Sequence, residues 1–206
     1  MAITTYAELK ASITDFLNRD DLDTVTPTFI SLAESDLQRR IRHWRGEKRS
    51  SAEIDTQYSA IPADFLEAIR FYITGGDTRP LELISQNELL DRKFKNLNTS
   101  GQPAYYAITA GEIEVYPVPD ATYTTELYYN SRVPALSDST TTNWLLEYYP
   151  DAYLYGSLVH SAPYLKEDAR LQTWAALYQS AVDAINNESE SSKFGGSGRK
   201  LKIRSY

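Results

Sequence analysis

Two histidines, His43 and His160, a run of acids at Asp20-Asp21-x-Asp23, and two clusters of basic residues are the side chains of this 206-residue chain whose types could support chemistry. Catalysis finds little in them. Neither histidine lies in a metal-ligand spacing such as HExxH, so both read as structural or surface residues. The acids suggest a cation site, but they lack the glycine and distal glutamate of an EF-hand loop. A solvated loop between helices, capping the second of them, is the better reading. The sequence holds no Gly-x-x-x-x-Gly-Lys-Ser/Thr phosphate loop and no nucleophile elbow. Zero cysteines exclude disulfides and thiolate chemistry. No catalytic residue, cofactor or metal is expected, and the chain reads as a non-enzyme.

The basic residues have more to offer. Arg39, Arg40, Arg42, His43, Trp44, Arg45, Lys48 and Arg49 crowd the end of the second expected helix. Cations there complement the negative end of the helix dipole. Guanidinium groups also make bidentate salt bridges, which makes Arg39, Arg40, Arg42 and Arg45 candidate contacts to an acidic face of a neighbouring subunit. Contact with DNA is the third reading. The second cluster closes the chain, where a Ser/Gly-rich spacer from Glu188 leads to Arg199-Lys200-Leu201-Lys202-Ile203-Arg204-Ser205-Tyr206, a tether followed by a hook. Gly195-Gly196-Ser197-Gly198 is expected to be flexible, because a few terminal apolar side chains do not offset the entropy of ordering it.

Charge separates this arm from the rest. All 28 acids but only 16 of the 21 basic residues precede Lys193, so a body with twelve excess negative charges carries a basic arm. Such an arm suits nucleic acid, an acidic membrane surface or an acidic groove on a protein. Leu201 and Ile203 alternate with Lys200, Lys202 and Arg204, which fits a strand added to a protein partner better than a coil tracking phosphates; a solubilising tail is the plain reading. The overall charge of −7 argues against a body that wraps DNA. The opening Met1-Ala2-Ile3-Thr4-Thr5 has neither the basic start nor the apolar run of a signal peptide, and no stretch reaches transmembrane length; a membrane is not among the expected partners. Sixteen tyrosines suit interfaces, or more plainly strands and core.

The elements that position these residues form one domain, or a domain with an insertion. Thr5-x-x-Glu8 predicts a capping box, followed by Tyr6, Leu9, Ile13, Phe16 and Leu17 at helical spacing. Thr26 and Pro27 predict the N-cap and first turn of a longer helix carrying Phe29, Ala33, Leu37, Ile41 and Trp44. From about Glu47 the period shortens to that of strands: Leu81/Leu83, Ile113/Val115 and Leu127/Tyr129 alternate with polar partners. Gly75-Gly76-Asp77, Ala110-Gly111 and Pro117-Val118-Pro119-Asp120 mark turns. An antiparallel sheet is expected, with its clearest hairpin at Tyr105 to Tyr116 and a short helix at Ser85 to Phe94, begun by a Ser cap with Glu88 three residues on. Helices return at Trp144 to Tyr149, then from Pro150 to Leu165 with an interruption near Pro163, then along the stripe Leu171, Trp174, Tyr178, Ala181, Ile185. The fold class is therefore α+β, a bundle of N- and C-terminal helices (1–46 and 137–187) with an inserted β region (47–136) and an extended arm (188–206). No internal repeat is evident.

A family resemblance follows from residues in this order. It begins with Tyr6-x-x-Leu9 through Arg19-x-Asp21, then Phe29-Ile30-x-Leu32-Ala33-Glu34 with Leu37, Arg39 and Arg42. Next come Ile61-Pro62-x-Asp64-Phe65, Gly101-x-Pro103 before Tyr105-Tyr106, and Ile113-x-Val115-Tyr116-Pro117-x-Pro119. It closes with Asn143-Trp144-Leu145-Leu146, Pro150-Asp151-x-Tyr153-Leu154-Tyr155-Gly156, Asp168-x-Arg170 with Trp174, and Leu201-x-Ile203-Arg204. Across almost its whole length the chain resembles the head-to-tail adaptor proteins, also called head-completion or connector proteins, of tailed bacteriophages.

The resemblance implies a structural virion protein of the head-tail neck, assembled in the cytoplasm of a bacterial host. It would form a ring, typically of twelve copies, beneath the portal protein. That ring would extend the channel for genomic DNA, which passes without tight binding, and offer a platform to tail tube, nozzle or tail-fibre proteins. By position, Lys193 to Tyr206 would be the portal-docking arm. Phe194, Leu201, Ile203 and Tyr206 would anchor it, and Arg199, Lys200, Lys202 and Arg204 would supply steering and charge pairs. At ~3.3 Å per residue the segment from Glu188 could reach roughly 60 Å. The alternative is a nucleic-acid-binding factor using the arm and the Arg39 to Arg49 cluster; a hydrolytic virion enzyme would need a site that these residues do not assemble.

Overall fold

A computed structural model of the chain describes residues 3–19, 21–74, 78–96, 99–166 and 170–194. They fall into two compact units, one made of the chain up to Arg45 and again from Val133, the other of Gly46–Arg132. The expected turn at Gly75-Gly76-Asp77 lies outside the described residues.

The first unit is helical. Helix α1 (Tyr6–Leu17) starts with the expected capping box: Thr5 Oγ1 accepts from Glu8 N at 3.3 Å and Glu8 Oε2 accepts from Thr5 N at 3.0 Å. It buries Tyr6, Leu9, Ile13 and Leu17, whereas Phe16 is exposed, one position off the stripe. Helix α2 (Thr26–Arg40) differs from expectation at both ends. Thr26 is already helical, its hydroxyl donating to Leu22 O at 2.9 Å, and the N-cap is Val25 with no side-chain bond, so the Asp21–Asp23 loop does not cap it. At the other end the chain turns extended at Ile41 and makes a 3₁₀ turn at Trp44–Gly46 instead of continuing as α-helix.

Helix α4 (Trp144–Tyr148) is capped by Asn143, and α5 (Pro150–Leu165) runs without a break through Pro163, which falls in its last turn. Helix α5 is the centre of this unit. Ala152, Tyr153, Gly156, Ser157, Leu158 and Ser161 are buried, and Gly156 packs so closely that an added Cβ would stand 3.0 Å from the Tyr178 ring and 3.2 Å from Ala33 Cβ. Helix α6 (Leu171–Phe194) buries Trp174, Tyr178, Ala181 and Ile185 as expected, while Leu171, the first residue of the expected stripe, is exposed. It continues seven residues past the expected end at 187, so Lys193 and Phe194 belong to its last turn rather than to an extended segment.

The second unit, numbered in chain order, has β1 (Glu47–Ile54), β2 (Tyr58–Ala60), β3 (Phe65–Ile73), β4 (Arg79–Pro80), β5 (Glu82–Leu83), α3 (Gln86–Lys95), β6 (Tyr105–Thr109), β7 (Glu112–Tyr116) and β8 (Tyr123–Ser131). The strands form two sheets rather than one, ordered β1-β8-β3-β4 and β2-β7-β6-β5, with β5 and β6 parallel. Their inner faces share a core of Ile54, Phe71, Ile73, Tyr106, Ile113, Val115 and Leu127. The β6–β7 hairpin closes through Ala110 and Gly111, both at positive φ (52° and 86°), the geometry of a type I′ turn.

Helix α3 begins at the expected Ser85 cap and lays Leu89 on Ala107 and Tyr116. It is pinned by a polar contact as well. Glu114, 1% exposed, accepts from Gln57 Nε2 at 2.7 Å, from Gln86 Nε2 at 2.8 Å and from Lys93 of α3. Burial pushes this carboxyl up, and the hydrogen bonds from Lys93, Gln86 and Gln57 outweigh it, leaving it below the usual range.

Candidate functional site

The basic end of α2 lies against α6, and Asp36 is its hub. Asp36 Oδ1 accepts from Arg39 Nη2 at 3.2 Å, while Oδ2 accepts from Arg40 Nη1 at 3.3 Å and from the Tyr178 hydroxyl at 2.8 Å. Burial alone would raise the Asp36 carboxyl; the donors from Tyr178, Arg40 and Arg39 bring it below the ordinary range. Burial and that same bond to Asp36 raise the Tyr178 phenol. Arg40 also bonds Gln179 and stands 5.2 Å over the Tyr178 ring. Arg42 turns back along α2, its Nη1 donating to the carbonyls of Ile41 (2.8 Å) and Gln38 (3.2 Å), which caps the negative helix end.

Helix α6 holds the connector that follows. Asn186 donates to Arg40 O and accepts from Arg42 N, both at 3.1 Å, and buried Ser189 accepts from Trp44 N at 3.1 Å. Those bonds satisfy backbone groups that a continuing helix would have used, which is why α2 stops at Arg40.

His43 is buried in an aromatic cage. Its ring lies 5.4 Å from Trp144, 5.5 Å from Trp44 and 5.6 Å from Tyr149. Nδ1 accepts from Arg45 N at 3.3 Å, so in the neutral ring Nε2 carries the proton and donates to the Tyr149 hydroxyl at 3.2 Å. Next to this cage the Arg45 guanidinium stands over the rings of Tyr148 (3.8 Å) and Trp44 (4.5 Å), and its Nε is buried without a hydrogen-bond partner. Within the second unit, Lys48 pairs with Asp64 at 2.6 Å and Arg49 with Glu126 at 3.6 Å.

The remaining candidates lie apart. His160 is half-buried on α5, and burial holds its imidazole below the ordinary value. Asp21 is paired with Arg19 at 2.5 Å, while Asp20 and Asp168 lie outside the described residues. So do Arg199, Lys200, Leu201, Lys202, Ile203, Arg204 and Tyr206 of the arm, of which only Lys193 and Phe194 are reached by α6. Among the described residues, no group of three or more His, Asp or Glu is arranged to hold a metal, and no helix is long and apolar enough to cross a membrane.

Sequence reasoning did not single out Gln179, Asn186 and Ser189. They sit beside the apolar stripe of α6 and look solvated until α2 is laid against them. In the sequence Tyr148 and Tyr149 mark only the end of a short helix. What the geometry organises at this site is side-chain contact, with cations held by carboxylate, carbonyl and aromatic faces.

No curated protein matches the chain in sequence. A family profile does, and it covers nearly the whole of it. The chain belongs to the SU10 adaptor protein family, whose profile matches residues 4–200.

Proposed function

We propose that this phage adaptor protein forms a ring that joins the portal of the DNA-filled head to the tail and extends the DNA channel. The observation that carries the reading is membership of the adaptor family over residues 4–200. In this reading the helical segments 1–46 and 137–187 build the ring, typically of twelve copies. The β region 47–136 would meet tail tube, nozzle or tail-fibre proteins or neighbouring copies, and the segment that follows α6 would reach the portal protein. Tyr58, Ile69, Leu83 and Phe94 are exposed on the β unit and would supply apolar area to such a partner.

Charge supports the same reading. A chain of net charge −7 repels a polyanion, which suits a channel that DNA must cross without adsorbing. Lys193, Phe194, Arg199, Lys200, Leu201, Lys202, Ile203, Arg204 and Tyr206 would be the docking arm, with Arg39, Arg40, Arg42 and Arg45 at contacts between copies. The protein would act in the neck of the virion after assembly in the host cytoplasm.

Electron microscopy of full-length protein mixed with its portal protein tests this. Added density of a closed ring on the tail-facing side of the portal is expected, and portals that stay bare at micromolar adaptor would contradict it. Tight retention of duplex DNA by the ring at physiological salt would refute the repelling channel.

A further inference from the structure

Arg45 stands apart from the other cations of its cluster. Arg39 and Arg40 share Asp36, Arg42 is spent on the carbonyls that end α2, Lys48 has Asp64 and Arg49 has Glu126. Arg45 forms no ion pair within 4 Å among the described residues. Its neighbours are two aromatic faces, Trp44 and Tyr148. A guanidinium held against two rings has lost much of its rotamer freedom before any partner arrives, so a carboxylate meeting it forgoes little further entropy. The rings that hold it are themselves open, Trp44 at 38% and Tyr148 at 48% exposure. Trp, Tyr and Arg together are the composition of an interface anchor.

We infer that the Trp44–Arg45–Tyr148 stack is the anchor at which one copy of this chain takes a carboxylate from a neighbouring copy. The inference rests on the ring reading and names the contact within it. A second copy is the occupant that the charges favour. Glu147, Asp151 and Glu190 of the same helical unit are exposed, and none has a cation within 4 Å among the described residues, so a copy brings carboxylates that its own fold leaves unpaired. Duplex DNA fits less well. Binding a polyanion takes several cations acting together, and those beside Arg45 are already engaged on a chain of net charge −7.

Native mass spectrometry of the full-length protein with its portal protein tests this, comparing wild type with Arg45→Glu, Arg45→Lys and Tyr148→Ala. Thermal melting of each variant checks its fold, and Tyr148→Ala carries the test if Arg45→Glu melts early, because it leaves the charge in place. Wild type is expected to load many copies on each portal. Arg45→Glu should weaken association between copies at least about tenfold while single copies still bind the portal. Arg45→Lys should not restore it, since an ammonium neither stacks as a plane nor forks onto a carboxylate. Wild-type copy number with folded Arg45→Glu and Tyr148→Ala overturns the inference and leaves the ring standing. Unchanged copy number with lost DNA retention also overturns it, in favour of a phosphate site. If wild type loads no multiple copies, the ring reading fails and takes the inference with it.

Discussion

Removing the Glu114 carboxylate is expected to loosen the contact between α3 and its sheet more than any surface change in the β unit. Glu114 is 1% and Lys93 11% exposed as side chains, so both charges are largely out of water and depend on each other. Glu114→Ala strands the Lys93 ammonium and leaves the Gln57 and Gln86 amides without their acceptor; breaking a buried pair from one side costs about 3–5 kcal/mol. Replacing both charges, as Lys93→Met with Glu114→Met, removes the stranded charge and is expected to recover at least half of that loss, on the order of 2 kcal/mol. Urea unfolding followed by hydrogen exchange at β6 and β7 amides reads the effect. All three tryptophans, Trp44, Trp144 and Trp174, lie in the helical unit, so their fluorescence is a control on the other unit. The pH dependence has a definite sign. The folded carboxyl lies below its ordinary 4.5, so its contribution is complete above about pH 4.5 and fades as pH falls through the lowered value. A loss below about 1 kcal/mol for Glu114→Ala, or a double variant no better than the single, would refute the reasoning.

Further expectations concern the helical unit. Thr5→Ala should cost about 1 kcal/mol by removing the acceptor for Glu8 N, measured by thermal melting. Hydrogen bonds from Thr4 and then Thr5 hold the Glu8 carboxyl at about 2, so an NMR titration should find the cap intact at pH 3 and lost only as the pH approaches 2. Gly156→Ala should destabilise by about 1–2 kcal/mol despite the better helix propensity of alanine. The new methyl meets a Tyr178 ring already tethered to Asp36, and a raised melting temperature would show that the ring can yield. Asn186→Ala removes two hydrogen bonds to the connector and should cost about 1–3 kcal/mol, seen as an earlier transition in tryptophan fluorescence.

What could be read in the sequence was local. Thr5 with Glu8, Ser85 with Glu88, and Ala110-Gly111 each decide their geometry within four residues, and each appears where expected. The apolar stripe of α6 was equally plain from spacing. Misreadings arose where a distant partner decides. Helix α2 stops at Arg40 because Asn186, more than 140 positions away, takes over its backbone bonds. Helix α6 outlasts its apparent end because Ser189, in a stretch that reads as polar spacer, is buried against Trp44 N. Alternation located the strands but could not divide them between two sheets, since both inner faces contribute to one core. Within the basic cluster, the spacing showed cations gathered at a helix end, but not that Asp36 and Tyr178 engage Arg39 and Arg40. The isolation of Arg45 emerges only when its neighbours are seen to be engaged.

In the proposed arrangement this adaptor docks on the portal through the segment that follows α6. Co-sedimentation of full-length chain and of a chain truncated after Phe194, which keeps α6 whole, with the portal protein of the same phage tests it most directly. Binding by the full-length chain and its loss on truncation is the predicted result. Binding by both forms would contradict the arm as anchor, and binding by neither would contradict the adaptor's place beneath the portal.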